Sequence, residues 1–327
     1  MLAMVLREIG GPLLPEERPD PIPGPGEVRI RVEACAVCRT DLHVIDGELP
    51  QAVYPIVPGH EVVGIVEAVG ECVTDPAPGR RVGMPWLGHA RGHCRYCQTE
   101  RENLCDAPGF TGCTRDGGFA TRLLAEAAFT VPLDMSLDPV ASAPLLCAGL
   151  IGWRTLRMAG DADTVGLYGS GAAAHIVAQV CRWQGRRVFA LTRPGDRKAQ
   201  DFARSLGAEW AGGSDGAPPE PLDAALIFAP DGRLVPTALA ELRKGGCVVC
   251  GGIHMSDIPR FPYELLWEER SVRSVANLTR ADARGFFEVV PRAGIVTRTR
   301  MFPLVQANAA IAAHRSGALQ GAAVLVP

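Results

Sequence analysis

The sequence has no long apolar run and no excess of charge of either sign. No stretch approaches the roughly 18 apolar residues that a helix needs to cross a bilayer, so we expect no membrane-spanning segment. The 33 basic and 36 acidic residues are interspersed and leave a net charge of -3. We therefore expect no surface that binds a nucleic acid backbone or an anionic membrane. The expected partners are small molecules.

A secretory leader is also missing from the sequence. Residues 1–14 carry Arg7 and Glu8 within their apolar stretch and offer no small-residue cleavage site. The chain has eleven cysteines, an odd number in a chain of 327 residues. This pattern favours free thiols in a reducing compartment over a disulfide framework. We therefore expect a cytoplasmic protein.

The pattern of residues along the sequence changes near Cys147. Before it, Pro and Gly alternate with short β-branched runs such as 28–32 and 61–69, which predicts a mostly β domain. After it, strands and helices alternate, which predicts an α/β domain with a parallel sheet. Strands are expected at 164–168, 187–191, 223–228, 247–251 and 271–275, and helices at 171–183 and 196–206. We expect a catalytic domain over 1–150 plus 288–327 and a dinucleotide-binding domain over 151–287.

A glycine-rich turn follows the strand at 164–168. It has the pattern G-x-G-x-x-A over 169–174 and leads into an apolar helix, the context in which this pattern indicates a dinucleotide site. Gly169 permits the tight turn, Gly171 lets the backbone approach a pyrophosphate, and Ala174 is small enough for close packing of helix and strand. The helix N-terminus would supply amide donors to the phosphates.

No acidic residue follows the next strand, 187–191, where an NAD-binding site usually offers one to the adenosine ribose. Arg193 stands there instead, and with Thr192 and Arg197 it could face a 2′-phosphate. This favours NADP over NAD. In the alternative, Arg193 is a solvated loop charge and the cofactor is NAD. Asp196 is expected to cap the following helix.

Three metal-ligand candidates are scattered along the chain. They are Cys38 in the segment 38–43, His60 in the segment 59–61, and Cys147. Two thiolates and one imidazole leave a tetrahedral position open on zinc, and an open position distinguishes a catalytic zinc from a structural one. The sequence therefore predicts Lewis-acid chemistry on an oxygen atom.

Together with the glycine turn, these motifs resemble those of the zinc-dependent medium-chain alcohol dehydrogenase family, in the same order and over nearly the whole chain. The resemblance implies an α/β protein of medium-chain dehydrogenase architecture, with a GroES-like catalytic domain and a Rossmann cofactor domain. It further implies interconversion of alcohols with aldehydes or ketones, using zinc and NAD or NADP. Some homo-oligomer, a dimer or a tetramer, is expected by analogy.

The resemblance also assigns the zinc ligands. Cys38, His60 and Cys147 would bind the catalytic zinc, with Glu61 as an occasional ligand. Asp41 would accept a hydrogen bond from the second ring nitrogen of His60 and so fix its tautomer.

The remaining roles implied by the resemblance concern the proton and the cofactor. Thr40 would take the proton of the alcohol and pass it, through the cofactor ribose, to His43 at the surface. Arg39 would touch the pyrophosphate. Arg280 could reach the cofactor phosphates, or it could lie on the surface without such a role.

A second cysteine cluster departs from the family pattern. A structural zinc lobe needs four thiolates spaced C-x2-C-x2-C-x7-C, but the chain supplies only Cys94, Cys97 and Cys105 and has Arg91 at the first position. Three ligands do not close a structural site. Either His89 or His93 completes it, or the lobe carries three reduced thiols without metal.

The resemblance places Trp86 and Leu49 at the substrate cleft. One indole and one leucine would leave an apolar slot for a small or medium-sized primary alcohol or its aldehyde. In the alternative, both residues are ordinary packing residues.

Two other functions are compatible with parts of this pattern. A non-catalytic dinucleotide-binding protein would use Cys94, Cys97 and Cys105 as a zinc- or redox-responsive thiol cluster. A zinc-free quinone reductase is disfavoured, because it would not require the three ligands of the catalytic zinc.

Overall fold

The structure is a computed structural model that describes residues 1–252, 255–317, 319 and 321–327. It divides the chain into two compact units. The first unit contains Met1–Cys147, Asn277–Phe287 and Val296–Pro327, and the second contains Ala148–Ala276 and Glu288–Ile295. Across the described ranges, no helix is both long and apolar enough to cross a membrane.

The strands and helices follow one another along the chain in this order: β1 (Leu2–Leu6), β2 (Leu13–Glu17), β3 (Glu27–Ala36), α1 (Arg39–Ile45), β4 (Glu61–Val69), β5 (Arg81–Met84), β6 (Leu87–His89), β7 (Gly109–Phe110), β8 (Arg122–Glu126), β9 (Val131–Pro132), α2 (Pro139–Ser142), α3 (Ala148–Met158), β10 (Thr164–Tyr168), α4 (Ala172–Trp183), β11 (Arg187–Thr192), α5 (Arg197–Ser205), β12 (Trp210–Gly213), β13 (Leu222–Ile227), α6 (Leu234–Ala240), β14 (Leu242–Cys250), β15 (Ser271–Ser274), α7 (Arg280–Ala293), β16 (Thr299–Pro303), α8 (Ala307–Arg315) and β17 (Ala322–Val326).

The first unit is built on a sheet with the order β16-β17-β3-β4-β5-β9, and β8 also pairs with β3. The central strand β3 shows why the sequence folds this way. Its residues Val28, Ile30 and Val32 alternate with polar neighbours and are buried, so one face of the strand enters the core. All pairings in this sheet are antiparallel except that of β16 with β17. The predicted mostly β domain is confirmed.

The second unit contains a parallel sheet with the order β12-β11-β10-β13-β14-β15. All five residues of β10 are buried, as in parallel sheets that are covered by helices on both faces. The predicted Rossmann-type α/β fold is therefore confirmed, and the predicted strands end within five residues of the predicted bounds. The sequence analysis missed β12, because two of its four residues are glycine and carry no strand signal.

The structural units differ from the expected domain bounds near the C-terminus. Residues 277–287 belong to the first unit and 288–295 to the second, the reverse of the expected division, and the first boundary lies after Cys147. The first turn of α7 is held within the first unit by Glu102. The Glu102 carboxylate accepts hydrogen bonds from the backbone N–H of Arg280 at 2.8 Å and from its Nε at 3.1 Å.

This contact gives a testable stability prediction. Burial alone would raise the pKa of Glu102, but the N–H of Arg280 holds it below its usual value. Replacing Glu102 by Ala should lower the free energy of unfolding by about 1.5–3 kcal/mol at neutral pH, the range for hydrogen bonds to charged groups. Because the folded pKa is depressed, the difference should be full above pH ~4.5 and shrink as the pH falls through the folded pKa.

Urea denaturation of the wild type and Glu102→Ala across this pH range measures the difference. Glu71→Ala, at an exposed carboxylate, is the matched control and should change little. Equal stability of the wild type and Glu102→Ala at neutral pH would contradict the assigned role.

Candidate metal centre and cofactor site

The metal centre begins at the N-terminus of α1. Cys38 is the N-cap residue of this helix, in extended backbone conformation. Its backbone N–H donates a hydrogen bond of 2.7 Å to Oδ2 of Asp41, the third residue of the helix. An acid at this position satisfies a free amide and interacts favourably with the helix dipole. Local capping therefore positions Cys38.

The same carboxylate also binds the segment that carries His60. Oδ1 of Asp41 accepts hydrogen bonds from the backbone N–H of Gly59 at 3.2 Å and from Nδ1 of His60 at 3.0 Å. The side chains of Asp41 and His60 have no exposed surface. The proton on Nδ1 leaves the lone pair of the ring on Nε2, the tautomer that binds a metal.

Four possible ligands converge at this point: Cys38, His60, Glu61 and Cys147, with donor atoms all within 4.8 Å of one another. The two sulfurs lie 3.6 Å apart. Tetrahedral zinc with Zn–S bonds of about 2.3 Å requires a separation of about 3.8 Å. Nε2 of His60 is buried and makes no hydrogen bond of normal geometry within the described residues. The donor set, the sulfur spacing and this unsatisfied nitrogen fit a zinc ion.

Mutual contacts shift the pKa values of these groups strongly. Hydrogen bonding from Cys147 holds the pKa of Cys38 well below its usual value, and the same bond raises the pKa of Cys147 well above its own. Burial alone would lower the pKa of His60, but the charge and hydrogen bond of Asp41, with the nearby Cys38, raise it well above its usual range. Any protons on these sulfurs and on Nε2 must leave when a metal binds.

Thr40 and His43 lie on α1, the helix that Cys38 caps. Thr40 is buried, and its Oγ1 lies 3.8 Å from Sγ of Cys38. His43 was expected at the surface, but it is only 9% exposed. The reason is that residues 40–45 of α1 are all buried, with α8 packed against the helix. Nδ1 of His43 hydrogen-bonds to the carboxylate of Glu48, a residue that the sequence analysis did not single out.

The two expected pocket residues lie in different surroundings. The indole of Trp86 is half-buried, meets the ring of His60 edge-on at 4.9 Å and stacks on Phe110 at 5.0 Å. It therefore lies directly beside a metal donor. Leu49 is buried in the apolar core of the first unit. Its part in a substrate pocket stays a prediction.

The second cysteine cluster brings three thiols together. Sγ of Cys94 lies 3.4 Å from that of Cys97 and 3.9 Å from that of Cys105. The backbone N–H of Arg91 donates to Sγ of Cys105 at 3.3 Å. The backbone N–H of Cys97 lowers the pKa of Cys94 to about 7, whereas burial raises the pKa of Cys97 to about 11.

Neither candidate for a fourth ligand joins this cluster. Nδ1 of His93 lies 2.9 Å from the carbonyl oxygen of Arg91, on the surface. Nδ1 of His89 lies 2.7 Å from the carboxylate of Glu126. The group of possible ligands found in the described ranges contains only the three cysteines. The structure therefore shows a three-thiol site.

The glycine turn of the second unit has the predicted geometry. Gly169 has φ +120°, and a Cβ atom there would lie 3.1 Å from the backbone nitrogen of Ala229, so a side chain is excluded. Gly171 is the N-cap of α4, and a Cβ atom there would meet no described atom within 4 Å. Ala174 is buried. The backbone at Gly171 is thus open to a ligand.

The end of β11 separates two of the three residues expected to face a 2′-phosphate. Thr192 is 2% exposed, and its hydroxyl donates to the carbonyls of Arg193 and Gly212 at 3.2 and 3.3 Å. The Thr192 hydroxyl is therefore engaged in hydrogen bonds at the turn after β11. The side chain of Arg193 is exposed, and no described carboxylate pairs with it. Asp196 caps α5 as expected, accepting from the backbone N–H of Ala199 at 3.0 Å.

Two further arginines were expected near cofactor phosphates. Arg39 is exposed as the first residue of α1. Arg280 is bound to Glu102, and its guanidinium lies 5.2 Å above the ring of Phe129. Their roles toward a cofactor stay predictions. Glu102 was missed because its partner is distant in sequence.

One family model, two relatives and one solved structure that match this chain are all described as alcohol dehydrogenases. Residues 24–135 match the model of the alcohol dehydrogenase GroES-like domain. The chain is 44% identical over 314 residues to the "Probable alcohol dehydrogenase AdhA" of Mycobacterium tuberculosis (strain CDC 1551 / Oshkosh), covering 94% of this chain and 90% of that protein. It is 33% identical to the alcohol dehydrogenase of Moraxella sp. (strain TAE123), covering 99% of each. It is also similar to the solved cobalt- and zinc-bound thermostable alcohol dehydrogenase from Pyrobaculum aerophilum, with a TM-score of 0.89, 26% identity and coverage of 100% of this chain and 99% of that one.

The three-thiol site gives the second prediction. Replacing Arg91 by Cys adds a fourth thiol at the spacing that closes a structural zinc site. We expect Arg91→Cys to raise the affinity of this site for zinc at least about 10-fold, since four-coordinate thiolate sites are the stable structural ones. Competition with a chromogenic chelator measures the affinity.

Arg95→Cys is the matched control, because it adds a thiol in the same lobe away from the first ligand position. An equal gain in affinity from Arg95→Cys, or no gain from Arg91→Cys, would contradict the interpretation of Arg91 as the missing ligand.

Proposed function

Because the chain belongs to the zinc-dependent medium-chain alcohol dehydrogenase family, we propose that Cys38, His60 and Cys147 hold its catalytic zinc and that it prefers NADP. The family activity is the interconversion of alcohols with aldehydes or ketones by hydride transfer to or from a nicotinamide cofactor. The observation that carries the assignment of the site is the convergence of two sulfurs, Nε2 of His60 and the Glu61 carboxylate within 4.8 Å.

The zinc site fits its proposed ion on the chemistry of its own groups. Cys38 and Cys147 supply thiolates, and His60 supplies the buried Nε2, held in the required tautomer by Asp41. Zinc, when bound, stabilises negative charge on the substrate oxygen as a Lewis acid. The carboxylate of Glu61 can take the place of a weakly bound ligand of the zinc. His60 and Glu61 are both buried.

The proton of the alcohol is assigned to two residues of α1. The Thr40 hydroxyl lies beside the Cys38 sulfur and can accept a hydrogen bond from the substrate hydroxyl. His43 follows three residues later, on the same side of the helix, and acts as the base that removes the proton from the site. During reduction of an aldehyde the same groups would return it.

The proposed substrates are small or medium-sized primary alcohols and their aldehydes. Support comes from Trp86, whose indole meets the His60 ring and so forms an apolar wall next to the metal donors. Leu49 is proposed as the second apolar wall. An apolar pocket with few polar groups selects substrates by shape.

The non-catalytic alternative is not favoured, because the chain matches alcohol dehydrogenases over almost their full length. We propose that Cys94, Cys97 and Cys105 form a secondary metal site of weaker affinity, since one ligand is missing. A homodimer or homotetramer, acting in the cytoplasm, stays a prediction.

The test of the proposed function replaces one zinc ligand. The zinc-loaded protein should oxidise short primary alcohols with a rise in the absorbance of reduced nicotinamide. Cys38→Ala should lose at least about 100-fold in kcat/KM and one equivalent of zinc, because two donors do not hold the ion in a catalytic geometry.

Cys72→Ala, at an exposed cysteine outside both clusters, is the matched control and should keep full activity and zinc. Full activity in Cys38→Ala would refute the assigned role of Cys38.

The preference for NADP has its own test. The exposed guanidinium of Arg193 and the absence of an acid after β11 support a contact with the 2′-phosphate. Arg193→Ser should weaken NADP binding about 10-fold or more and leave NAD binding nearly unchanged, because only NADP carries that phosphate. Fluorescence titration with each cofactor measures both constants.

Lys244→Ser, at an exposed residue of β14, controls for loss of one positive charge on the same unit. Equal weakening of NAD and NADP in Arg193→Ser would contradict the proposed contact.

A further inference from the structure

The C-terminal end of α1 folds back onto His43. Gly47 has φ +73°, and a Cβ atom there would lie 2.7 Å from Cγ2 of Ile9, so only glycine fits. The backbone N–H of Glu48 then donates to the carbonyl oxygen of His43 at 2.9 Å. This six-to-one bond is the Schellman motif, which brings the side chain after the glycine beside that of the last helical turn. In this chain the pair is Glu48 and His43.

The side chains of this pair are joined by a hydrogen bond. Nδ1 of His43 donates to the carboxylate of Glu48. The His43 side chain is 11% exposed and that of Glu48 is 52% exposed, so the carboxylate lies on the solvent side of the imidazole. A proton held on Nδ1 leaves Nε2 as the nitrogen that can accept another.

The second carboxylate of this turn, that of Asp46, is held by another partner. Asp46, on the same turn, is bound by both terminal nitrogens of Arg315 on α8 at 2.7 Å. Hydrogen bonding from Arg315 lowers the pKa of Asp46. Asp46 is therefore neutralised by its own partner, and the same ion pair holds the turn in place. Arg315 also acts electrostatically on Glu48 from α8.

We propose that Glu48 is a positioning residue for His43, holding Nδ1–H so that Nε2 is the base and countering the positive charge that the ring acquires when it takes up a proton. A carboxylate on Nδ1 orients imidazoles in the same way at other catalytic sites. The inference rests on the proposed alcohol oxidation and on His43 as its base. At His43 only a proton moves: the O–H bond of the alcohol breaks, an N–H bond forms on Nε2, the Nδ1–H that bonds to Glu48 is kept, and the imidazolium later releases the proton to water.

The first test is independent of activity. In the zinc-loaded protein labelled with ¹⁵N-histidine, NMR should show His43 protonated on Nδ1 and unprotonated on Nε2 at a pH where the ring is neutral. Glu48→Ala should shift His43 toward the Nε2–H tautomer, while Glu48→Gln, whose amide oxygen can still accept the Nδ1 proton, should keep it. Glu71→Ala, at an exposed carboxylate, is the control and should leave the tautomer unchanged.

The second test separates kcat from KM. Glu48→Ala should lower kcat for alcohol oxidation about 10- to 100-fold with KM nearly unchanged, the scale of a lost proton-transfer contribution, and Glu48→Gln should recover only part of it. An unchanged His43 tautomer in Glu48→Ala, or an unchanged kcat, would overturn the inference. A wild type without alcohol oxidation but with the Glu48-dependent tautomer would refute the proposed function while supporting the positioning of His43.

Discussion

The buried carboxylate of Asp41 is the interaction on which the metal centre depends. It receives hydrogen bonds from the backbone N–H of Cys38, the backbone N–H of Gly59 and Nδ1 of His60. Leaving such a carboxylate buried without these partners would cost several kcal/mol. The start of α1 and the turn before β4 therefore meet around it, and this contact brings Cys38 and His60 together.

The two cysteine clusters differ in the ligands that they bring together. At the first site, two cysteine sulfurs and an imidazole meet at the spacing that zinc requires. At the second, a backbone amide of Arg91 hydrogen-bonds to the Cys105 sulfur instead of a fourth ligand closing the cluster. We therefore propose a catalytic zinc at the first site and a weaker metal site at the second.

The sequence was informative where local patterns carry the structure. The strand at 164–168, the glycine turn after it and the Asp196 cap follow from short-range periodicity and capping, and the structure has all of them. Long-range contacts were beyond the same reasoning. The burial of His43 depends on α8 packing against α1, which local pattern does not reveal.

The missed contact of Glu48 is different, because a local signal for it exists. A glycine at position 47 marks the end of a helix, and the Schellman geometry then places the next residue beside the last turn. The metal ligands themselves lie far apart in sequence, so their convergence was inferred from resemblance to a family. In the structure that convergence rests on the hydrogen bonds of Asp41 and on the position of Cys147 at the end of the first unit.

The most direct measurement is anomalous diffraction at the zinc edge from crystals of the zinc-loaded protein. The account predicts a strong anomalous peak within about 2.3 Å of the sulfurs of Cys38 and Cys147 and about 2.1 Å of Nε2 of His60. Nδ1 of that ring should remain on Asp41. Zinc-loaded crystals with no anomalous peak among these three side chains would contradict the account.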